Sequence, residues 1–130
     1  QKSESEFEAR LTQLRFVSQM DRNCSWWNPK SGGVPDDYIL QHEQIHFAIH
    51  EIEARRLEGR VEELQDRIRG EGPSADAAYA EAQEQLNAVL AKHVDAVYQR
   101  SYRFDQETSN RFDPEAQARW WEQISQELAR

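Results

Sequence analysis

The chain has 130 residues, of which 31% are charged, and its formal net charge is -8. This acidic balance argues against nucleic acid or an anionic membrane surface as the main partner, since both bind basic patches. No run approaches the roughly 20 apolar residues that span a bilayer, and the single cysteine, Cys24, excludes an internal disulfide and a zinc site built from cysteines.

The composition favours an all-α fold. Glu, Gln, Ala, Arg and Leu, which are good helix formers, are abundant, and no segment alternates between apolar and polar residues as a half-buried strand does. A chain of this length forms one domain with a modest core. We therefore expect a single domain over residues 1–130, with four helices and a long antiparallel helical hairpin.

Residues 1–22 are predicted to form the first helix, because their apolar residues recur at intervals of three and four. These are Phe7, Leu11, Leu14 and Val17. Residues 23–37 are predicted to form a loop, because they are rich in Asn, Gly and Pro. The loop holds Trp26 and Trp27, which either clamp it onto the core or line a substrate cleft, and the large area of each ring favours the first role.

Residues 38–110 are predicted to form the hairpin. One apolar stripe of helical spacing runs as far as Ile68, and the helix is then stopped by Gly70, Gly72 and Pro73. A second stripe covers residues 86–104. Two long helices joined by a short Gly-Pro turn pack antiparallel, so the end of the second returns to the start of the first.

Residues 111–130 are predicted to hold the last helix. Asp113 suits the N-cap position and Pro114 suits the first helical position. Four apolar residues give this helix one face that can pack across the hairpin. They are Trp120, Trp121, Ile124 and Leu128.

The sharpest chemical signal is the pattern H-E-x-x-H formed by His42, Glu43 and His46 on the first helix of the hairpin. Residues four apart lie on one face of a helix, so both histidines can turn a ring nitrogen to one metal ion. Glu43 lies beside that ion and can take a proton from a metal-bound water. A catalytic zinc ion has three protein ligands, so the third must come from elsewhere.

The returning end of the hairpin supplies two candidates for the third ligand, Asp105 and Glu107. They flank the apolar stripe on opposite sides, and periodicity does not choose between them. The other carboxylate would orient a ligating histidine. Tyr102 could stabilise an oxyanion, although a packing role is at least as consistent with the sequence. His50 is excluded because four residues carry it about 6 Å farther along the helix axis.

The residues around the motif resemble a known family. Leu40 to Phe47, followed by Ile49 and by residues 51–57, is similar to the motif helix of a group of bacterial predicted zinc proteases. That group is a domain-of-unknown-function family within the wider H-E-x-x-H zincin class.

A second block carries the same resemblance. Phe104 to Arg111 is similar to the family pattern Y-D-x-E-T-x-H-G, and Gln117 to Trp120 is similar to its Q-x-x-W. Asn110 and Arg111 stand where the family has His-Gly, and Phe104 replaces its tyrosine. The resemblance implies metal binding by the two motif histidines, a general base at the motif glutamate, and a location in the cell envelope or outside a bacterial cell.

These patterns predict a metallopeptidase that uses one zinc ion to hydrolyse a peptide bond in a peptide or protein substrate. The alternative is a catalytically degenerate helical module that binds zinc or no metal and acts through protein contacts. Asn110 favours the alternative, and so does the lack of an edge strand of the kind that aligns substrates in many zincins. A third reading makes the H-E-x-x-H pattern a chance product of Glu-rich helices.

Overall fold

The computed structural model describes residues 6–18, 34–109 and 111–130. These residues form four helices and one short antiparallel sheet, so the predicted all-α class is confirmed. The number of helices agrees with the prediction, although one predicted helix is a strand and another is divided in two. The elements are β1 (Phe7–Arg10), α1 (Asp36–Glu58), α2 (Val61–Arg67), β2 (Arg69–Gly72), α3 (Ala75–Thr108) and α4 (Pro114–Leu128). None of these helices combines the length and the apolar character needed to cross a membrane.

The chain divides into two compact units. The first unit contains the described residues up to Phe16 together with Arg56–Asp95, and the second contains Val17–Arg55 together with Ala96–Arg130, within the described ranges. Helices α1 and α3 each contribute to both units. The single-domain organisation stays a prediction.

The predicted helix at residues 1–22 is wrong for the described part, residues 6–18. Strand β1 lies there instead and pairs antiparallel with β2. Leu11 and Leu14 follow β1 as irregular chain and pack against the buried residues of the first unit. Apolar residues spaced three and four apart can therefore be buried without forming a helix, because an extended segment laid over a core also covers them.

The first helix of the predicted hairpin is shorter than expected. It ends at Glu58, and the separate helix α2 begins at Val61. Gly59 lies at the break, as glycine often does after the last turn of a helix. Apolar residues from both sides of the break nevertheless pack into one core. That core consists of Leu57, Leu64, Ile68, Ala82 and Val89.

Strand β2 lies directly against α3. A Cβ atom on Gly70 would stand 1.9 Å from the backbone oxygen of Ala78 and 2.6 Å from the backbone nitrogen of Ala82. Backbone atoms cannot move aside as a flexible side chain can, so only glycine fits at this position. The sequence predicted Gly70 as part of a helix stop, and the structure adds a packing reason for it.

The second unit is built from α1, the last turns of α3, and α4. Its buried cluster is Ile45, Ala48, Ile49, Ile52, Val97, Phe104 and Ile124. Here α1 and α3 run antiparallel, because His42 contacts Ser109 while His46 contacts Asp105. The predicted antiparallel pairing is thus confirmed, although α2 and β2 lie in the connection that was predicted as a short turn.

Helix α4 begins as predicted. The Oδ1 atom of Asp113 accepts a hydrogen bond from the backbone nitrogen of Ala116 at 3.0 Å, and Pro114 is the first helical residue. This bond satisfies one of the backbone donors that a helix leaves open at its N-terminus. The cap therefore fixes where α4 starts, next to the end of α3.

Two side chains bind the ends of α1, α3 and α4 together. The hydroxyl of Tyr38 donates to the backbone oxygen of Thr108 at 2.7 Å and accepts from the backbone nitrogen of Asp113 at 3.2 Å. The fully buried amide of Gln117 donates to the backbone oxygen of Tyr38 at 2.9 Å and to Oε1 of Gln41 at 3.0 Å. These bonds hold the start of α1 against the end of α3, where the candidate site lies.

Candidate metal centre

Three candidate ligands meet between α1 and α3. His42 and His46 lie one turn apart on α1, and Asp105 lies in the last turns of α3. The Oδ1 atom of Asp105 is 2.7 Å from Nε2 of His46 and 3.1 Å from Nε2 of His42. In the described part of the chain this is the only group of three or more His, Cys, Asp or Glu side chains with ligand atoms close enough for a metal ion, all within 4.8 Å of one another.

The donor set suits a metal ion, and Asp105 lies close to the spacing that such an ion requires from each histidine. Two imidazoles and one carboxylate are the protein ligands of several catalytic zinc sites. Ligand atoms around a tetrahedral zinc ion stand about 3.3 Å apart when the bonds are about 2.0–2.1 Å long, and the contacts of Asp105 at 2.7 and 3.1 Å are slightly shorter. The side chain of Asp105 is 44% exposed, so it can withdraw by the few tenths of an ångström that are required.

The structure brings Asp105, and not Glu107, to the two histidines. Two residues turn an α-helix by about 200°, so these carboxylates point to opposite sides of α3. Glu107 lines a groove on the side of α3 that faces α4, together with Arg103 and Arg119. The choice that periodicity left open is therefore made by the packing of α3 between α1 and α4.

Phe104 fixes the two imidazole rings. Its fully buried ring stacks on His42 with centroids 4.6 Å apart and meets His46 edge-on at 5.0 Å. The ring of Trp120 packs against Phe104 at 5.2 Å. The sequence placed Phe104 in the apolar stripe and at the start of the second family-like block, but did not predict its contact with the histidines. Because Phe104 directly precedes the candidate ligand Asp105 in the sequence, its place beside the site could have been predicted.

Ser109 also lies at the site, although the sequence patterns did not single it out. Its Oγ atom is 2.7 Å from Nε2 of His42 and 3.2 Å from Oδ1 of Asp105. Its backbone nitrogen also donates to the backbone oxygen of Asp105 at 2.7 Å, which continues the helical bonding by one residue. Ser109 lies four residues after Asp105, so the helical period could have identified it as a neighbour.

Glu43 lies at the edge of this centre. Its side chain is 52% exposed, and its Oε1 atom is 3.4 Å from Nδ1 of His42. The hydrogen bond with His42 is the main cause that lowers the pKa of the Glu43 carboxyl, and the nearby charge of His46 adds to it, while burial and Asp105 oppose it. The carboxyl is therefore ionised at neutral pH, which is the form a general base requires.

Metal binding through Nε2 requires the tautomer of His42 that carries its proton on Nδ1. In that tautomer the ring can donate towards Glu43, whose Oε1 atom is 3.4 Å from Nδ1. The same tautomer leaves the lone pair of Nε2 on the side of Asp105, where a metal ion would bind. Carboxylates commonly hold ligating histidines in this way.

The other residues that the sequence singled out have three different outcomes. Tyr102 is exposed, and its hydroxyl accepts a hydrogen bond from Nε2 of Gln106 at 3.0 Å, so its role in substrate binding stays a prediction. His50 bonds through Nδ1 to the backbone oxygen of its helical neighbour His46 at 2.9 Å and is not part of the metal group, as the helix geometry predicted. The tryptophan pair at 26 and 27, and Asn110, lie outside the described residues.

Comparisons with models of protein families, with curated proteins and with solved structures find no match to this chain. The resemblance to bacterial zinc proteases therefore stays a prediction from the motif residues. The geometry of His42, His46 and Asp105 is the observation that bears on function.

Proposed function

We propose that this protein is a zinc-dependent metallopeptidase in which His42, His46 and Asp105 hold one zinc ion and Glu43 is the general base. One observation supports the proposal above all others. The Oδ1 atom of Asp105 lies within 3.1 Å of the Nε2 atoms of both histidines. The proposed substrate is a peptide or protein, and the resemblance adds a location in the cell envelope or outside a bacterial cell.

The chemistry divides between the ion and the chain. When bound, zinc supplies Lewis acidity, which polarises a scissile carbonyl and lowers the pKa of a water to about 7. Glu43 takes a proton from the attacking water and later gives it to the departing amine nitrogen. Phe104 holds the imidazole of His42 in position through ring stacking, and the hydroxyl of Ser109 donates to Oδ1 of Asp105 at 3.2 Å.

The exposure of the centre suits a large substrate. The side chain of Glu43 is 52% exposed, and the side chain of Asp105 is 44% exposed. A peptide bond within a longer chain can therefore approach these groups without first entering a deep cavity. The base also needs this access, because it must reach the water and the leaving nitrogen in turn.

Replacement of Glu43 by glutamine tests the role of the base. The change removes the proton acceptor and keeps the size of the side chain, so we expect zinc to stay bound while hydrolysis falls at least about 100-fold. Zinc content is measured by elemental mass spectrometry, and hydrolysis is measured with a quenched fluorescent peptide library. Glu62→Gln makes the same chemical change on α2 in the other compact unit and should alter neither quantity.

Hydrolysis at the wild-type rate by Glu43→Gln would contradict the assignment of the base. Loss of zinc together with activity would instead make Glu43 part of the metal-binding structure. If the zinc-loaded wild-type chain cleaves no peptide in the library, the proposal of a peptidase fails. The metal centre would then have a role other than catalysis.

A second candidate function is a zinc-binding module that does not hydrolyse peptides. The position of Glu43 favours it, because its carboxylate contacts Nδ1 of His42, the ring nitrogen that faces away from Asp105. A carboxylate in that position orients a ligand and does not by itself face the reacting water. The described residues of the second unit also contain no strand on which a peptide could align. This candidate predicts normal zinc binding and no cleavage.

A further inference from the structure

A groove of about 300 Å³ lies between α3 and α4, away from the metal centre. We call it the arginine groove. Its walls contain three arginines, one glutamate, one glutamine and one tryptophan. They are Arg100, Arg103, Glu107, Arg119, Trp120 and Gln123. Such a concentration of arginines is unexpected in a chain whose net charge is -8.

One of these arginines already has a partner. Both terminal nitrogens of Arg100 bond to the carboxylate of Glu127, with Nη1 at 2.9 Å from Oε1. The guanidinium also lies over the ring of Trp120, 5.9 Å from the ring centroid. This pair of hydrogen bonds neutralises the charge of Arg100 and holds its side chain in place at the wall of the groove.

The other two arginines differ from Arg100. In the ranges that the structure describes, neither Arg103 nor Arg119 has a carboxylate within salt-bridge distance. Arg55 and Arg60, by contrast, pair with glutamates three or four residues away on their own chain segment. Arg103 lies on α3 and Arg119 on α4, and both residues line the same groove.

The charges in the groove indicate which anion it fits. Arg103 and Arg119 contribute two positive charges and Glu107 contributes one negative charge, so one positive charge is left. A monoanionic carboxylate brings the sum to zero, whereas a phosphate dianion would leave the groove negative. The planar fork of a guanidinium also matches the two oxygens of a carboxylate. We propose that the arginine groove binds the carboxylate group of a ligand between Arg103 and Arg119.

This site is distinct from the metal centre. The buried ring of Phe104 has His42 and His46 on one part of its surface and Trp120, a wall residue of the arginine groove, on another. None of the residues that line the groove is a proposed zinc ligand. The proposal does not depend on zinc binding or on hydrolysis.

The test is a titration of the full ¹⁵N-labelled chain, followed by two-dimensional NMR. The probe is N-acetyl-alanyl-alanine with a free carboxylate, and its C-terminal amide is the matched control ligand. We expect saturable shifts for residues of α3 and α4 that line the arginine groove with the acid, and no saturable shift with the amide. Acetate at equal affinity would identify a small organic acid as the ligand, whereas weaker acetate binding would identify a peptide C-terminus.

Charge-matched variants separate a defined site from a general effect of net charge. Arg103→Gln and Arg119→Gln should each weaken binding of the acid about fivefold or more, because each removes one charge-assisted contact. Arg67→Gln changes the net charge equally on α2 in the other unit and should leave binding unchanged. Equal binding of acid and amide, equal weakening by Arg67→Gln, or tighter binding of inorganic phosphate would each overturn the proposal.

Discussion

Replacement of Asp105 by alanine is expected to weaken zinc binding by more than about 100-fold. Changes to groups that merely orient a ligand typically cost 10–100-fold in metal affinity, and loss of a direct ligand should cost more. In the described part of the chain, Oδ1 of Asp105 is also the only carboxylate oxygen within hydrogen-bonding distance of the imidazoles of both His42 and His46. Affinity is measured by competition with a chromophoric zinc chelator of known affinity.

Glu107→Ala is the matched control for this prediction. It removes a carboxylate two residues farther along α3, on the side that faces the arginine groove. We expect its zinc affinity to stay within about threefold of the wild type, since screened charges at a distance contribute little. Equal losses in Asp105→Ala and Glu107→Ala, with normal helical circular dichroism in both, would mean that Asp105 is not a ligand.

The second large effect is expected at Phe104. Phe104→Ala should lower the free energy of unfolding by about 3–5 kcal/mol, because it removes a fully buried aromatic ring from the core of the second unit. Urea denaturation of the chelator-treated protein measures this loss without a contribution from metal binding. Phe47→Ala removes the same ring from a position on α1 that is 39% exposed and should cost much less.

Phe104→Leu separates the two roles of this ring. Leucine keeps most of the apolar volume, so the free energy of unfolding should fall by less than in Phe104→Ala. It cannot stack on His42 or meet His46 edge-on, so zinc affinity should still fall. If Phe104→Leu binds zinc as the wild type does, the ring packs the core and has no part in positioning the ligands.

Part of the site follows from the sequence because a helix imposes its own period. His42 and His46 lie on one face of α1 as the spacing of four residues requires. The Asp113 cap and Pro114 at the start of α4 were predictable for a similar reason, since they act within one turn of their own segment. Local rules identify features that a few neighbouring residues determine.

The remaining features depend on contacts between distant segments. The extended chain at β1 is stabilised by pairing with β2, more than 50 residues away, and its apolar spacing alone predicted a helix. Asp105 and Ser109 reach His42 only because α3 packs antiparallel to α1 with one particular register. Periodicity does not specify that register, so it left Asp105 and Glu107 equivalent and did not suggest Ser109.

The choice of zinc also requires a direct measurement, since two histidines and one carboxylate are a donor set that non-haem iron uses as well. The central claim is that His42, His46 and Asp105 bind one zinc ion. Anomalous diffraction at the zinc absorption edge, from crystals grown with one equivalent of zinc, tests it most directly. We predict one peak within about 2.0–2.2 Å of Nε2 of both histidines and of Oδ1 of Asp105. A peak at other residues, or no peak in zinc-treated crystals, would contradict this account.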